Sequence, residues 1–143
     1  MEPWEWSSFR PYLPTQTLGK IEALFQEHEP SKVSNFIHGD FWTENLMEQK
    51  GRIVGLIDWE NACSGDVAAD FAALSYLPES AGRTILNQYV EMGEQNGVGF
   101  PKRLTVFRFR RELLGLFHAI RFPESGELKD SIRKVIQLTN RVF

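Results

Sequence analysis

Phe36-Ile37-His38-Gly39-Asp40-Phe41-Trp42-Thr43-Glu44-Asn45-Leu46-Met47, followed closely by Val54-Gly55-Leu56-Ile57-Asp58-Trp59-Glu60, decides how this chain is read. These stretches set a carboxylate (Asp40), a carboxamide (Asn45) and a second carboxylate (Asp58) on short loops between apolar runs of β type. Residues 46–48 and 52–57 are parted by Gln49-Lys50-Gly51, a hairpin signal with glycine where positive φ is favoured. One strand would leave Asn45 and the other return to Asp58, so residues thirteen positions apart reach the same end of the hairpin. A carboxylate five residues ahead of an Asn, then an Asp beyond a hairpin, suits phosphoryl transfer. Mg²⁺ takes hard oxygen ligands, and an attacking hydroxyl needs a nearby carboxylate that the metal does not hold.

Composition bounds the rest. A chain of 143 residues fits one domain and buries roughly two-thirds of its unfolded surface. With 42% hydrophobic and 24% charged residues it is an ordinary globular sequence. No apolar run approaches the ~20 residues that cross a bilayer, and no basic-then-apolar leader opens it, so no membrane partner is expected. A single cysteine, Cys63, excludes an internal disulfide framework and suits a reducing cytoplasm. A net charge of −3 gives no basic field for nucleic acid.

The three motifs His38-Gly39-Asp40 with Asn45, Ile57-Asp58-Trp59-Glu60, and Gly65-Asp66-Val67-Ala68-Ala69-Asp70 continued by Phe71-Ala72, stand in one order over a short span. Together they resemble the aminoglycoside phosphotransferase/choline kinase family, which is built like a protein kinase with Gly in place of Arg in the His-Arg-Asp loop. The resemblance covers the chain from about residue 15 and is densest over 36–77. It implies an α+β, mainly helical, kinase-like C-terminal lobe whose small β-hairpin carries the catalytic and metal-binding loops. It further implies ATP and Mg²⁺ as cofactors and a small-molecule hydroxyl as acceptor.

Carried over residue by residue, the resemblance makes Asp40 the catalytic base and Asn45 and Asp58 the metal ligands. Flanked by Ile57 and Trp59, the Asp58 carboxylate is expected to be desolvated, which is costly unless metal or amides meet it. His38 is read as structural, its ring bonding neighbouring backbone. Asp66 is expected to cap a helix, and Asp70, one turn later, to brace the catalytic loop. Glu44 and Glu60 are either contacts for a cationic substrate or simply solvated. Met47 and Ile57 either floor an adenine pocket or are plain core residues.

Around this centre, residues 1–14 hold Trp4, Trp6, Phe9 and Tyr12 among three prolines, which forbid a regular helix. An extended arm or a linker remnant is expected there, ahead of a lobe over 15–143. Thr15 or Thr17 would cap a helix carrying Leu18, Ile21, Leu24 and Phe25. Residues 33–37 read as a strand, Cys63-Ser64-Gly65 as a turn, and 67–77 as one helix. Residues 80–96, with Ile85, Tyr89 and Met92 on one side, form an amphipathic segment ended by Asn96-Gly97-Val98-Gly99. Pro101 opens a helix with Val106, Phe109, Leu113, Leu116, Phe117 and Ile120 on its apolar stripe. Ser125 would cap a last helix facing inward with Leu128, Ile132, Val135 and Ile136. Arg103, Arg110 and Arg121 read as a solvated face paired with acids.

One departure from the family is expected to matter. No Gly-rich loop and no lysine-bearing strand precede His38, so the N-terminal nucleotide lobe is expected to be absent. The phosphotransferase would then be inactive alone, with an open face around Met47, Ile57 and Trp42 available for self-association or a partner. The rival expectation is a catalytically silent kinase-like module that binds or regulates.

Overall fold

The computed structural model describes residues 4–28, 34–91 and 99–143. Two compact units divide the chain, one of residues 1–29 with 105–143 and the other of residues 30–104.

In the first unit the segment expected to be extended coils into a 3₁₀ turn at Trp6–Phe9. Backbone bonds from Ser8 to the Glu5 carbonyl (2.9 Å) and from Leu13 to the Phe9 carbonyl (2.9 Å) continue it into turns. Proline forbids a long helix but tolerates such single turns, because it removes only its own N–H. The coil buries Trp4, Phe9 and Leu13, with Trp4 edge-on to Phe9 at 5.8 Å. Helix α1 (Thr15–Gln26) follows, burying Leu18 and Ile21. Neither Thr15 nor Thr17 caps it: Pro14 stands at the N-cap, its carbonyl accepting from Leu18 (3.0 Å), with no side-chain cap bond.

The long helix, here labelled α4 (Phe100–Arg121), gives this unit Val106, Phe109, Leu113 and Leu116, a buried row at helical spacing. A 3₁₀ turn at Pro123–Ser125 stops it, and Gly126 at φ 73° reverses the chain. Helix α5 (Leu128–Val142) then starts with Glu127 rather than Ser125 at its cap, and Ser125 accepts only a long 3.4 Å bond from the Glu127 amide. Val135 is fully buried, with Ile132, Ile136 and Leu128 packed against the same cluster. Each such Phe or Leu contributes about 1.5–3 kcal/mol by leaving water.

The second unit is built from two strand pairs and short helices. Strand β1 (Asn35–Ile37) pairs antiparallel with β4 (Cys63–Gly65), placing Ile37 opposite Cys63. The stretch read as a turn at 63–65 is therefore a strand. Between them lies the hairpin β2 (Leu46–Gln49) and β3 (Arg52–Leu56). Its two turn residues, Lys50 (φ 53°) and Gly51 (φ 77°), both have positive φ, which matches the right-handed twist of the flanking strands. Helix α2 (Ala68–Phe71) passes directly into a 3₁₀ turn at Ala72–Tyr76, so the single helix expected over 67–77 is split. Helix α3 (Glu79–Glu91) follows, and Met92 and residues 96–98 lie outside the described residues. Phe71 packs against Tyr89 (4.4 Å) and Phe100 (6.0 Å), joining α2, α3 and the first turn of α4. Among the described residues no helix is long and apolar enough to cross a membrane.

Candidate active site

Residues 38–40 leave β1 as a loop held mainly by backbone amides. The two carboxylate oxygens of Asp70, on α2, accept the N–H groups of His38 (2.8 Å) and Gly39 (2.9 Å). Bonds to an ionised acceptor are roughly twice as strong as neutral ones, so one aspartate fixes two successive peptide planes. The His38 ring, 2% exposed, accepts the Asp40 amide at Nδ1 (3.3 Å) and donates from Nε2 to the Ile57 carbonyl (2.8 Å). A ring nitrogen that accepts carries no proton, so the hydrogen resides on Nε2. His38 thus spans the loop of Asp40 and the chain just ahead of Asp58.

Gly39 has no alternative. Its φ is 82°, and a Cβ there would stand 2.3 Å from the Asn61 carbonyl oxygen. No side chain fits between His38 and Asp40.

Asn45 completes the frame from the 3₁₀ turn Thr43–Asn45. It is 7% exposed, its Nδ2 donates to the Asp40 carbonyl (2.9 Å), and its own carbonyl accepts the Ile57 amide (2.9 Å). Since a carbonyl can only accept, the amide nitrogen faces Asp40 and Oδ1 is left for another partner, which no described residue supplies. Asp58 sits at φ 65°, ψ 57°, a left-handed conformation that Asp tolerates better than most residues. Its side chain is exposed, in place of the desolvated setting expected, because both neighbours, Ile57 (47%) and Trp59 (46%), are also open to solvent. Trp59 donates to the Leu56 carbonyl (2.8 Å) and stacks on Phe36 at 5.8 Å.

These donors fit a hard divalent cation. Asn45 Oδ1 and the Asp58 carboxylate are hard oxygen groups without a described protein donor, at adjoining ends of one strand pair. No group of three or more His, Cys, Asp or Glu that could hold a metal occurs among the described residues. Half-buried Asp40 lies on the loop that Asn45 closes.

Asp66 accepts the Ala68 amide at Oδ1 (3.0 Å) and the Arg103 Nε at Oδ2 (2.7 Å). The pair is buried, with side chains 10% and 6% exposed. Arg103 is therefore not part of a solvated face. It enters the frame from the first turn of α4 and also lies over Phe100 at 5.9 Å. Sequence reasoning missed it, and its apolar neighbours Phe100 and Leu104 are the only hint of burial. Glu44 and Glu60 are exposed, on the 3₁₀ turns Thr43–Asn45 and Trp59–Asn61. Met47 (50%) and Ile57 (47%) are exposed as well, which removes them from the core.

Residues 2–104 match the phosphotransferase enzyme family. The chain belongs to that family. Its motif resemblance is thereby borne out. Viomycin phosphotransferase of Streptomyces vinaceus is 28% identical over 119 residues, spanning 80% of this chain and 39% of that protein. A thermostable mutant of aminoglycoside phosphotransferase APH(4)-Ia, in ternary complex with AMP-PNP and hygromycin B, superposes with a TM-score of 0.67 at 15% identity. That alignment covers 92% of this chain and 46% of the other. The apo form gives 0.63 at 17% identity, covering 93% and 47%. At such identity the likeness is one of fold, the α+β, mainly helical kinase-like architecture. The phosphotransferase relatives are more than twice as long as the stretch matched here.

Proposed function

We propose that this chain carries the base and the metal ligands of an ATP- and Mg²⁺-dependent phosphotransferase that modifies a hydroxyl on a small molecule. The observation that carries the reading is the double tie of Asn45, through Nδ2 to the Asp40 carbonyl and through its own carbonyl to the Ile57 amide. It draws a carboxylate, a carboxamide oxygen and the approach to a second carboxylate into one frame. Bound Mg²⁺·ATP supplies the γ-phosphoryl group and offsets its negative charge. Asn45 Oδ1 and Asp58 would hold the cation. Asp40 would orient the acceptor hydroxyl and take its proton as the new O–P bond forms and ADP departs. His38 and Asp70 hold the loop in place, Asp66 fixes the start of the helix that carries Asp70, and the exposed Glu44 and Glu60 would meet cationic groups of an acceptor. Met47 and Ile57 would supply one apolar wall for adenine. By themselves residues 1–143 would then bind nucleotide weakly and transfer little. Their exposed apolar side chains Phe36, Met47, Ile53, Ile57 and Trp59 would favour pairing with a second copy. A cytoplasmic site of action fits the need for ATP and the lone exposed Cys63.

The test is ATP-dependent phosphorylation by the whole protein, compared with its Asp40→Ala and Asp58→Asn variants. Asp40→Ala should lower kcat by about 10²–10⁴ with nucleotide affinity largely kept. Asp58→Asn should raise the Mg²⁺ concentration required. Unchanged turnover in Asp40→Ala would remove Asp40 from the role of base, and a whole protein that consumes no ATP with any acceptor would favour a silent binding module.

A further inference from the structure

Within residues 30–104 a cavity of about 230 Å³ is lined by Phe41, Val67, Asp70, Phe71, Leu74 and Ile85. Nothing in the phosphotransfer scheme above uses it. Leu74, 5% exposed, is its most buried wall, and Ile85, 40% exposed, its most open. Five of the six lining residues are apolar. The exception, Asp70, has an oxygen on each of the His38 and Gly39 amides, so its carboxylate is engaged with the loop. An apolar group placed here would be sheltered from water by these side chains.

Size narrows the occupant. The volume lies between the about 150 Å³ that holds a benzene ring and the about 300 Å³ at which drug-sized ligand sites begin. One aryl ring or a compact branched alkyl group fits. Position narrows it further, since Phe41 follows Asp40 directly and successive Cα atoms are about 3.8 Å apart. The cavity therefore borders the loop that carries Asp40.

We propose that this cavity anchors the acceptor, which is an alcohol bearing a single aryl or branched alkyl group close to the hydroxyl. The proposal rests on reading Asp40 as the base. Phe71, Leu74 and Ile85 then determine specificity, and any cationic groups of the acceptor lie outside the cavity.

The probe is 2-phenylethanol, with glycerol as a hydroxyl-bearing control that lacks the apolar group. Saturation-transfer NMR on the 143-residue chain should detect 2-phenylethanol and not glycerol. Ile85→Glu, at an already exposed position that folding tolerates, should weaken binding by about tenfold or more. Leu74→Phe, which fills the cavity from its buried side, should abolish binding, and if that variant fails to fold Ile85→Glu decides alone. Asp58→Asn should leave binding intact. Equal signals for both alcohols, or 2-phenylethanol binding unaltered in Ile85→Glu, overturn the proposal. In the whole protein, transfer to 2-phenylethanol that falls in Ile85→Glu supports it. Binding that obeys the cavity variants without any phosphate transferred overturns the acceptor role, whereas the reading of Asp40 as base falls only with unchanged turnover in Asp40→Ala.

Discussion

The two units hold themselves together in different ways. In residues 4–28 with 105–143, Trp4, Phe9, Ile21, Phe109, Leu113, Leu116 and Val135 form one buried apolar cluster. In residues 34–91 with 99–104 the contacts that hold the site are directional: Asp70 to two amides, His38 to two backbone groups, Asn45 to two others, and Arg103 to Asp66. Apolar packing degrades gradually as atoms are removed, because its worth is proportional to buried area. A directional bond between buried groups fails at once, leaving the surviving partner without a match. One unit is suited to stability and the other to position.

That contrast is open to attack by substitution. The largest expected effect is in the packed unit, where Phe109→Ala at a fully buried site should cost about 3–5 kcal/mol in urea unfolding. A loss under 1 kcal/mol would mean that this cluster is not the stabilising one. Next comes Arg103→Leu, which keeps apolar bulk but strands the Asp66 carboxylate, at about 3 kcal/mol. A neutral result would show that the buried pair can be replaced by packing, and the contrast between the units would weaken. Gly39→Ala should cost about 2 kcal/mol from the left-handed backbone, with added disturbance at Asn61. Amide exchange at His38 and Gly39 should speed up in this variant, and unchanged protection there would break the argument for a rigid loop. The smallest effect belongs to the surface. Hydrogen bonds from Lys134 and Arg133 hold the Asp130 carboxyl below its ordinary range. A lowered folded value contributes stability above the unfolded value, and that contribution is lost as pH falls through the folded one. Asp130→Asn should therefore lower Tm slightly at neutral pH and leave it unchanged in strong acid.

Much of this was legible because the signals are local. Lys50-Gly51 between apolar runs specifies the β2–β3 hairpin without reference to distant residues. The spacing of Val106, Phe109, Leu113 and Leu116 likewise gives the buried stripe of α4. The motif order around Asp40, Asn45 and Asp58 led directly to the family. What escaped depends on partners far along the chain. Cys63-Ser64-Gly65 has no strand pattern of its own and becomes β4 because Asn35-Phe36-Ile37 lies alongside. Arg103 reads as a surface cation until Asp66, thirty-seven positions earlier, is seen to meet it. Thr15 and Ser125 were plausible caps by residue type, but Pro14 and Glu127 occupy those places. The exposure of Asp58 was hidden because its apolar neighbours Ile57 and Trp59 suggest burial and are themselves open to solvent.

The bare peptide at Gly39 has a consequence for control. Protein kinases place an arginine at the equivalent point of their His-Arg-Asp loop, and arginines that pair with phosphorylated residues order kinase activation segments. Here the Asn61 carbonyl oxygen occupies the space where a side chain would begin, so no cation can stand at position 39. The loop is instead held by Asp70, a partner already present in the chain, through contacts that need no modification to form. A loop made this way is set when the chain folds, with no contact at position 39 that a covalent modification would have to create.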